Sequence, residues 1–147
     1  MSERRYWIGV ASNDHVANAV NEGFVQLSHG KAAPVERLQP GDGFLWYSPR
    51  TTYPSGPVLQ AFTAIGRVGD GPMYEVNGSP LAQAFRRPAE YFDATAAPIK
   101  PLLEKLTFIR SKTHWGAAFR FGLVRVPRAD FAAIAAAMGR NADADFG

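Results

Sequence analysis

Three tryptophans, Trp7, Trp46 and Trp115, each stand beside residues that can hydrogen-bond. Trp7 leads along a strand into Ser12-Asn13, Trp46 precedes Tyr47-Ser48, and Trp115 follows Lys112, Thr113 and His114. Aromatic walls with a few polar groups between them are what an unstacked nucleobase requires: its π-face seeks a ring and its edge seeks donors and acceptors. Stacking one base on an aromatic side chain contributes on the order of 1–3 kcal/mol. Most tryptophans in a domain of this size serve the core, so a packing role competes with this one at each position. Basic residues run through the same segments, at Lys31, Arg37, Arg50, Arg86, Arg87, Arg110, Lys112, Arg120 and Arg125. Such side chains position a phosphate backbone without reading its sequence, and most of them sit on any solvated surface. Lys31, Arg50, Arg110 and Lys112 are the expected backbone contacts. Arg110 and Lys112 are favoured because they flank Trp115 in one loop.

Catalytic signatures are missing. The chain has no G-x-S-x-G, no P-loop and no H-E-x-x-H. Gly41-Asp42-Gly43 and Gly69-Asp70-Gly71 lack the third glycine of a dinucleotide fingerprint and read as turns. His15, His29 and His114 are scattered, with no carboxylate at a metal-ligand spacing. Ser28 beside His29 is adjacency without mechanism, because neighbours on a strand face opposite ways. There are no cysteines, so disulfides and thiolate-held metals are excluded. No cofactor and no metal are expected.

The elements that must position these residues follow from patterning. Tyr6 to Ser12 reads as a strand whose parity sets Trp7 opposite Ser12. A helix follows, capped by Ser12 or Asn13, with Val16, Ala19 and Val20 as its apolar stripe and Gly23 as its stop. Phe24 to Leu27 is a short extended run, and Pro34 to Pro40 a connector. Phe44 to Tyr47 is a continuous apolar strand of the kind found at a sheet centre, and Leu59 to Val68 a long strand with a bulge site at Gly66. Met73 to Val76 is a further strand, and Gly78 to Pro98 is the least regular stretch, with a strand edge near Arg86 to Phe92. Pro101 to Ile109 reads as a short helix. Phe119, Phe121 and Leu123 alternate as a strand, with a parity shift near Gly122. Pro127 opens the last helix, in which Phe131, Ile134, Ala135 and Met138 keep helical spacing, and the tail from Arg140 is expected to fray.

The 147 residues, 46% of them apolar, suit one domain, residues 1–147 with a core over about 4–139. No βαβ alternation supports a parallel doubly wound sheet. The expected class is α+β: a curled, mostly antiparallel β-barrel decorated by helices. No run of 18 apolar residues exists, and the N-terminus runs straight into a strand, so no membrane partner and a cytoplasmic location are expected. The net charge of +3 permits a polyanionic partner without demanding one.

Arg5 through Val16, Gly23 through Lys31 followed by Pro34, Leu38 through Asp42, Tyr47-Ser48-Pro49 and Leu59 through Val68 together resemble the EVE-domain family, in its branch of small stand-alone bacterial proteins. The resemblance covers about residues 4–139 and is carried by long motifs. It implies a PUA-like fold, related to the YTH domains that read methylated adenosine in RNA. It also implies a partner nucleic acid carrying a modified base, with modified cytosine in DNA the leading candidate. Carried over residue by residue, the resemblance places Ser12 and Asn13 at the pocket, Trp7 beside them, Tyr47 and Ser48 on a strand edge facing it, and Trp115 as a stacking aromatic. His29, Gly30 and Lys31 match a motif of this branch. Where the better-known branch opens with Lys-Ser-Glu, this chain has Val10-Ala11-Ser12.

The expected base-binding set is therefore Trp7, Ser12, Asn13, His29, Trp46, Tyr47, Ser48 and Trp115. Two rival readings stand beside the base reader. One is a small-molecule or nucleotide-metabolite sensor using the same pocket. The other is a hydrolase of a modified nucleoside, like the ASCH group of PUA-like folds, which needs a Lys or Glu base; Lys31 and Glu36 are the nearest.

Overall fold

The structure, a computed structural model, describes residues 3–76 and 84–147. Its centre is an eight-stranded mixed sheet: β1 (Tyr6–Val10), β2 (Phe24–Val25), β3 (Gly43–Arg50), β4 (Val58–Val68), β5 (Tyr74–Val76), β6 (Ala84–Tyr91), β7 (Ala97–Pro98) and β8 (Leu123–Arg125). The order along the sheet is β2-β6-β4-β3-β1-β8, with β5 on β6 and β7 on β4. Among the described residues, only β1 and β3 pair in parallel; the other pairs are antiparallel. The sheet curls into a half-barrel, and the fold is the α+β, PUA-like class expected from the sequence.

The unbroken apolar runs of β1 and β3 have a direct cause, because both faces of the sheet are covered. Tyr6, Ile8, Leu45 and Tyr47 point into one core with Phe131, Ile134 and Phe146. Trp7, Phe44 and Trp46 point into the other, with Val16, Leu27 and Leu38. The second core leaves no room at Gly9: a Cβ there meets Phe44, Leu27 and Trp46 side chains at 2.6–2.9 Å.

The helices are α1 (Asn13–Glu22), α2 (Ala32–Glu36), α3 (Arg128–Ala137) and α4 (Ala142–Phe146). Gly23 ends α1 as expected, at φ +75°, with its N–H donating to Ala19 O at 2.8 Å. Val20, placed on the buried stripe by spacing, is exposed, because only Val16 and Ala19 reach the sheet.

Several expectations are corrected. Gly66 pairs regularly with Phe44; the irregularity lies three residues earlier on β4, where Trp46 pairs Ala64, Tyr47 pairs Phe62 and Thr63 is the extra residue, and a second register shift falls between Ser48 and Arg50. Gly66 instead lets β6 approach, since a Cβ would sit 2.3 Å from Glu90 O. The stretch read as irregular contains the eight-residue β6, while its residues 78–83 lie outside the described ones. Pairing with β2, β4 and β5 holds β6 extended despite Pro88. The short helix expected over Pro101 to Ile109 is a 3₁₀ helix that begins one residue earlier and ends sooner, Lys100–Lys105. Phe119 and Phe121 are on no strand: Phe119 ends the 3₁₀ helix Trp115–Phe119 and stacks on Tyr47 at 4.3 Å. The tail does not fray. Asn141 Oδ1 accepts from Asp143 N and Ala144 N to start α4, and Phe146 packs edge-on against Phe131 at 5.3 Å.

Candidate functional site

β1 ends at Val10, and the chain turns through Ala11 and Ser12 into α1. Beside this corner run Gln26 to Gly30, which leave β2, and the loop 51–57 between β3 and β4. These segments enclose a cavity of about 410 Å³ lined by Ala11, Ser12, Asp14, His15, Asn18, Gln26, Ser28, His29 and Tyr53. That size lies in the range of small-molecule sites. The loop is tied to the corner by Asp14 N–H donating to Thr51 O at 3.0 Å, and closed by Arg50 Nη1 donating to Gly56 O at 2.8 Å. On the other side Ser28 and His29 both adopt left-handed backbone, at φ +50° and +59°. Left-handed backbone costs a side-chain-bearing residue roughly 1–2 kcal/mol, and such strain concentrates at ligand sites. The His29 ring meets Tyr53 edge-on at 5.5 Å, giving the mouth an aromatic side.

The polar groups are sorted by what they already hold. Ser12 Oγ donates to Asp14 Oδ1, as does His15 N, and the Ser12 bond holds the Asp14 carboxyl below its usual range. Asp14 Oδ2 makes no hydrogen bond among the described residues and is a charged acceptor. Burial pushes the His15 imidazole down, so it is neutral at physiological pH. Its Nε2 lies 3.3 Å from Gln26 O; a carbonyl only accepts, so the ring proton is on Nε2 and Nδ1 is an acceptor. Gln26 Oε1 accepts from Arg86 Nε at 2.9 Å. Arginine only donates, which fixes the amide orientation and leaves the Gln26 NH₂ as a donor. The cavity thus offers two acceptors, Asp14 Oδ2 and His15 Nδ1, with amide groups at Gln26 and Asn18.

His15 rests edge-on against Trp46 at 5.7 Å and Phe24 at 6.3 Å. Its folded pKa lies below its unfolded one, so the neutral ring contributes stability that is complete above the unfolded value and lost as pH falls through the folded one. Denaturation midpoints are expected to decline as pH drops below about 6.5. His15→Gln should flatten that limb; a variant curve parallel to wild type rules the assignment out.

Of the expected pocket residues, Ser12 and His29 line the cavity. Trp46 is one layer beneath, fully buried under His15, with Nε1 donating to Tyr91 Oη at 2.8 Å. Trp7 is buried in the core under the Arg37 guanidinium at 4.9 Å and donates from Nε1 to Asp42 Oδ2 at 2.8 Å. Tyr47 is stacked on Phe119, and burial pushes its phenol up to about 12. Ser48 is buried, its Oγ 2.7 Å from Thr63 Oγ1. Asn13 opens α1 on the exposed side and does not line the cavity. Trp115 lines a separate depression of about 250 Å³ with Arg110 and His114, and meets Tyr47 edge-on at 6.3 Å.

Of the expected phosphate contacts, Lys31 and Arg110 are exposed. Arg50 is bound to its own loop. The Lys112 ammonium donates to the carbonyls of Leu106 and Ile109, each at 3.1 Å, and of Leu103. It caps the 3₁₀ segment ahead of it. The cavity residues outside the expected set are Ala11, Asp14, His15, Asn18, Gln26, Ser28 and Tyr53. The motifs held five of them: Ala11, Asp14 and His15 fall inside Arg5–Val16, and Gln26 and Ser28 inside Gly23–Lys31.

At the other end of β1, a groove of about 400 Å³ is lined by Arg4, Arg5, Tyr6, Arg125, Val126, Pro127 and Arg128. Arg4 and Arg128 bind α4, through Phe146 O and Asp143 Oδ1 respectively. Among the described residues, no three His, Asp or Glu side chains converge to hold a metal, and no helix is long and apolar enough to cross a membrane.

The EVE-domain family model matches residues 5–137. The chain is 48% identical over 136 residues to UPF0310 protein msl3206 of Mesorhizobium japonicum, covering 91% of each. It is 40% identical over 136 residues to UPF0310 protein YdcG of Bacillus subtilis, covering 92% of this chain and 93% of that one. The crystal structure of protein Atu2648 from Agrobacterium tumefaciens superposes with a TM-score of 0.56 at 11% identity, over 92% of this chain and 94% of that one. At that identity the likeness concerns the fold alone. EVE domains have a PUA-like fold, one that often binds nucleic acid. On its motifs, its fold and these matches, the chain belongs to the EVE-domain family.

Proposed function

We propose that this protein binds nucleic acid and seats one modified base, a modified cytosine in DNA or a modified base in RNA, in the cavity at the head of α1. The observation that carries this reading is the cavity itself. It is about 410 Å³, edged by His29 and Tyr53, with acceptors and donors among its lining residues. An exocyclic amine, as on cytosine N4 or adenine N6, is a donor. Asp14 Oδ2 and the bare His15 Nδ1 are suited to receive it, while the Gln26 amide suits a ring nitrogen or carbonyl. The exposed Lys31 beside His29 supplies positive charge for the backbone.

The protein acts as a binder and not as an enzyme. A nucleoside hydrolase needs a base facing the substrate. Lys31 and Glu36, the bases that the hydrolase reading names, do not line the cavity, and Ser12 donates to Asp14 rather than to His15; both facts weigh against a hydrolase.

The test is anisotropy titration of labelled oligonucleotides, single- and double-stranded, each modified base paired with its unmodified twin at one salt concentration. Selective binding of one modified member is the expected result. Equal, salt-sensitive binding of every member overturns base reading and leaves a backbone binder. No binding at all overturns the nucleic-acid reading in favour of a free nucleotide metabolite.

A further inference from the structure

One exposed aromatic is left unused by the cavity. Phe121 is 81% exposed, more than any other large apolar side chain among the described residues. It stands on the turn between the 3₁₀ helix Trp115–Phe119 and β8. That turn is clamped. Gly122, at φ +82°, receives Val10 N–H on its carbonyl at 2.9 Å and donates its own N–H to Phe119 O at 3.2 Å. A Cβ on Gly122 would lie 3.5 Å from Ser28 Oγ. Val10 leads into Ala11 and Ser12, and Ser28 lines the cavity, so the turn touches one lining residue and the strand end that leads into two others. Phe121 is held one residue from that contact. The Arg120 guanidinium lies 5.6 Å from its ring centroid.

A base drawn out of a duplex leaves a gap in the stack, and proteins that extrude or unstack bases fill or pry such gaps with apolar side chains. A single strand offers no such gap. We infer that Phe121 enters the stack in place of the base held in the cavity, with Arg120 on the adjacent phosphate, so that the substrate is a duplex. This rests on the base-binding reading of the cavity. The phenyl ring presents a π-face to the flanking bases, and Arg120 adds the charge that draws the backbone in.

The experiment titrates three ligands: a duplex carrying the preferred modified base, the same strand alone, and the free modified nucleoside. Wild type, Phe121→Ala, Phe121→Leu and Tyr53→Ala are compared. Phe121→Ala is expected to weaken duplex binding about tenfold while moving single-strand and nucleoside binding by less than about twofold. Phe121→Leu should recover part of the loss. An exposed side chain is removed, so melting curves should superpose. Equal losses on duplex and single strand, no loss on either, or a wild-type preference for the single strand overturns the wedge. A wild-type dimer that Phe121→Ala converts to a monomer by light scattering also overturns it, by showing that the ring covers a second copy. If Tyr53→Ala still weakens all three ligands in those cases, the cavity reading survives; if Tyr53→Ala weakens none, both fall.

Discussion

Tyr53→Ala is expected to weaken binding of the preferred oligonucleotide roughly 5- to 150-fold, the equivalent of about 1–3 kcal/mol of lost stacking. The melting temperature should hardly move. Tyr53 is 71% exposed, and exposed substitutions of this kind usually shift stability by less than about 0.5 kcal/mol. The loop that carries it does not need its ring: Arg50 Nη1 to Gly56 O, Thr51 N to Pro57 O and Asp14 N to Thr51 O hold the backbone in place. Tyr53→Phe keeps the π-face and should bind like wild type. Anisotropy titration beside thermal melting checks this. A binding loss that tracks a fall in melting temperature, or no binding loss, removes Tyr53 from the site.

The second large effect lies in the frame behind the site. Asp42 is 2% exposed, and its carboxylate accepts from Trp7 Nε1 at 2.8 Å, Gln39 N at 3.0 Å and Arg5 N at 3.1 Å. It ties the start of β1 to the turn before β3, so the register of the parallel β1–β3 pair depends on it. Asp42→Ala orphans three donors: the buried Trp7 Nε1 and the part-buried Gln39 N and Arg5 N. At about 1–3 kcal/mol for a buried unsatisfied group, and less for the two that can reach water, the expected loss is about 2–4 kcal/mol. Against a typical stability of about 5–15 kcal/mol, that brings the domain near its folding margin. Urea denaturation midpoints measure it. Wild-type stability in this variant would falsify the assignment of Trp7 to the frame and return it to the candidates for ligand contact.

The sequence made β1, α1, β3, β4 and α3 legible because each carries a strong local signal: continuous apolar runs, helical spacing at Val16 and Ala19 or at Phe131 and Ile134, and Gly23 as a stop. It was weak at β6, whose proline-containing run is extended only because three strands pair with it. It was wrong about the tail, where Phe146 is a core residue whose partners Tyr6, Phe92 and Phe131 are all distant in the chain. At the site, the long opening motif led to Ser12, and the later one to His29. Asn18 gave no signal, since a polar residue on a helix is what any surface shows.

The tryptophans divide the two kinds of information most clearly. The long motifs carried the resemblance to the family, while residue types and spacing determined the fold class and the presence of large aromatics beside polar groups. They did not determine which aromatics face a ligand. An aromatic ring suits a core and a base pocket equally well, and strand parity says only that Trp7 and Ser12 lie on opposite faces, not that both faces are covered. The tertiary structure decided that point by packing α1 and α2 on one face and α3 and α4 on the other. This drew Trp7 and Tyr47 into the two cores and Trp46 beneath His15. The cavity walls then fell to His29 and Tyr53, from a strained turn and a loop that meet only when the sheet has curled.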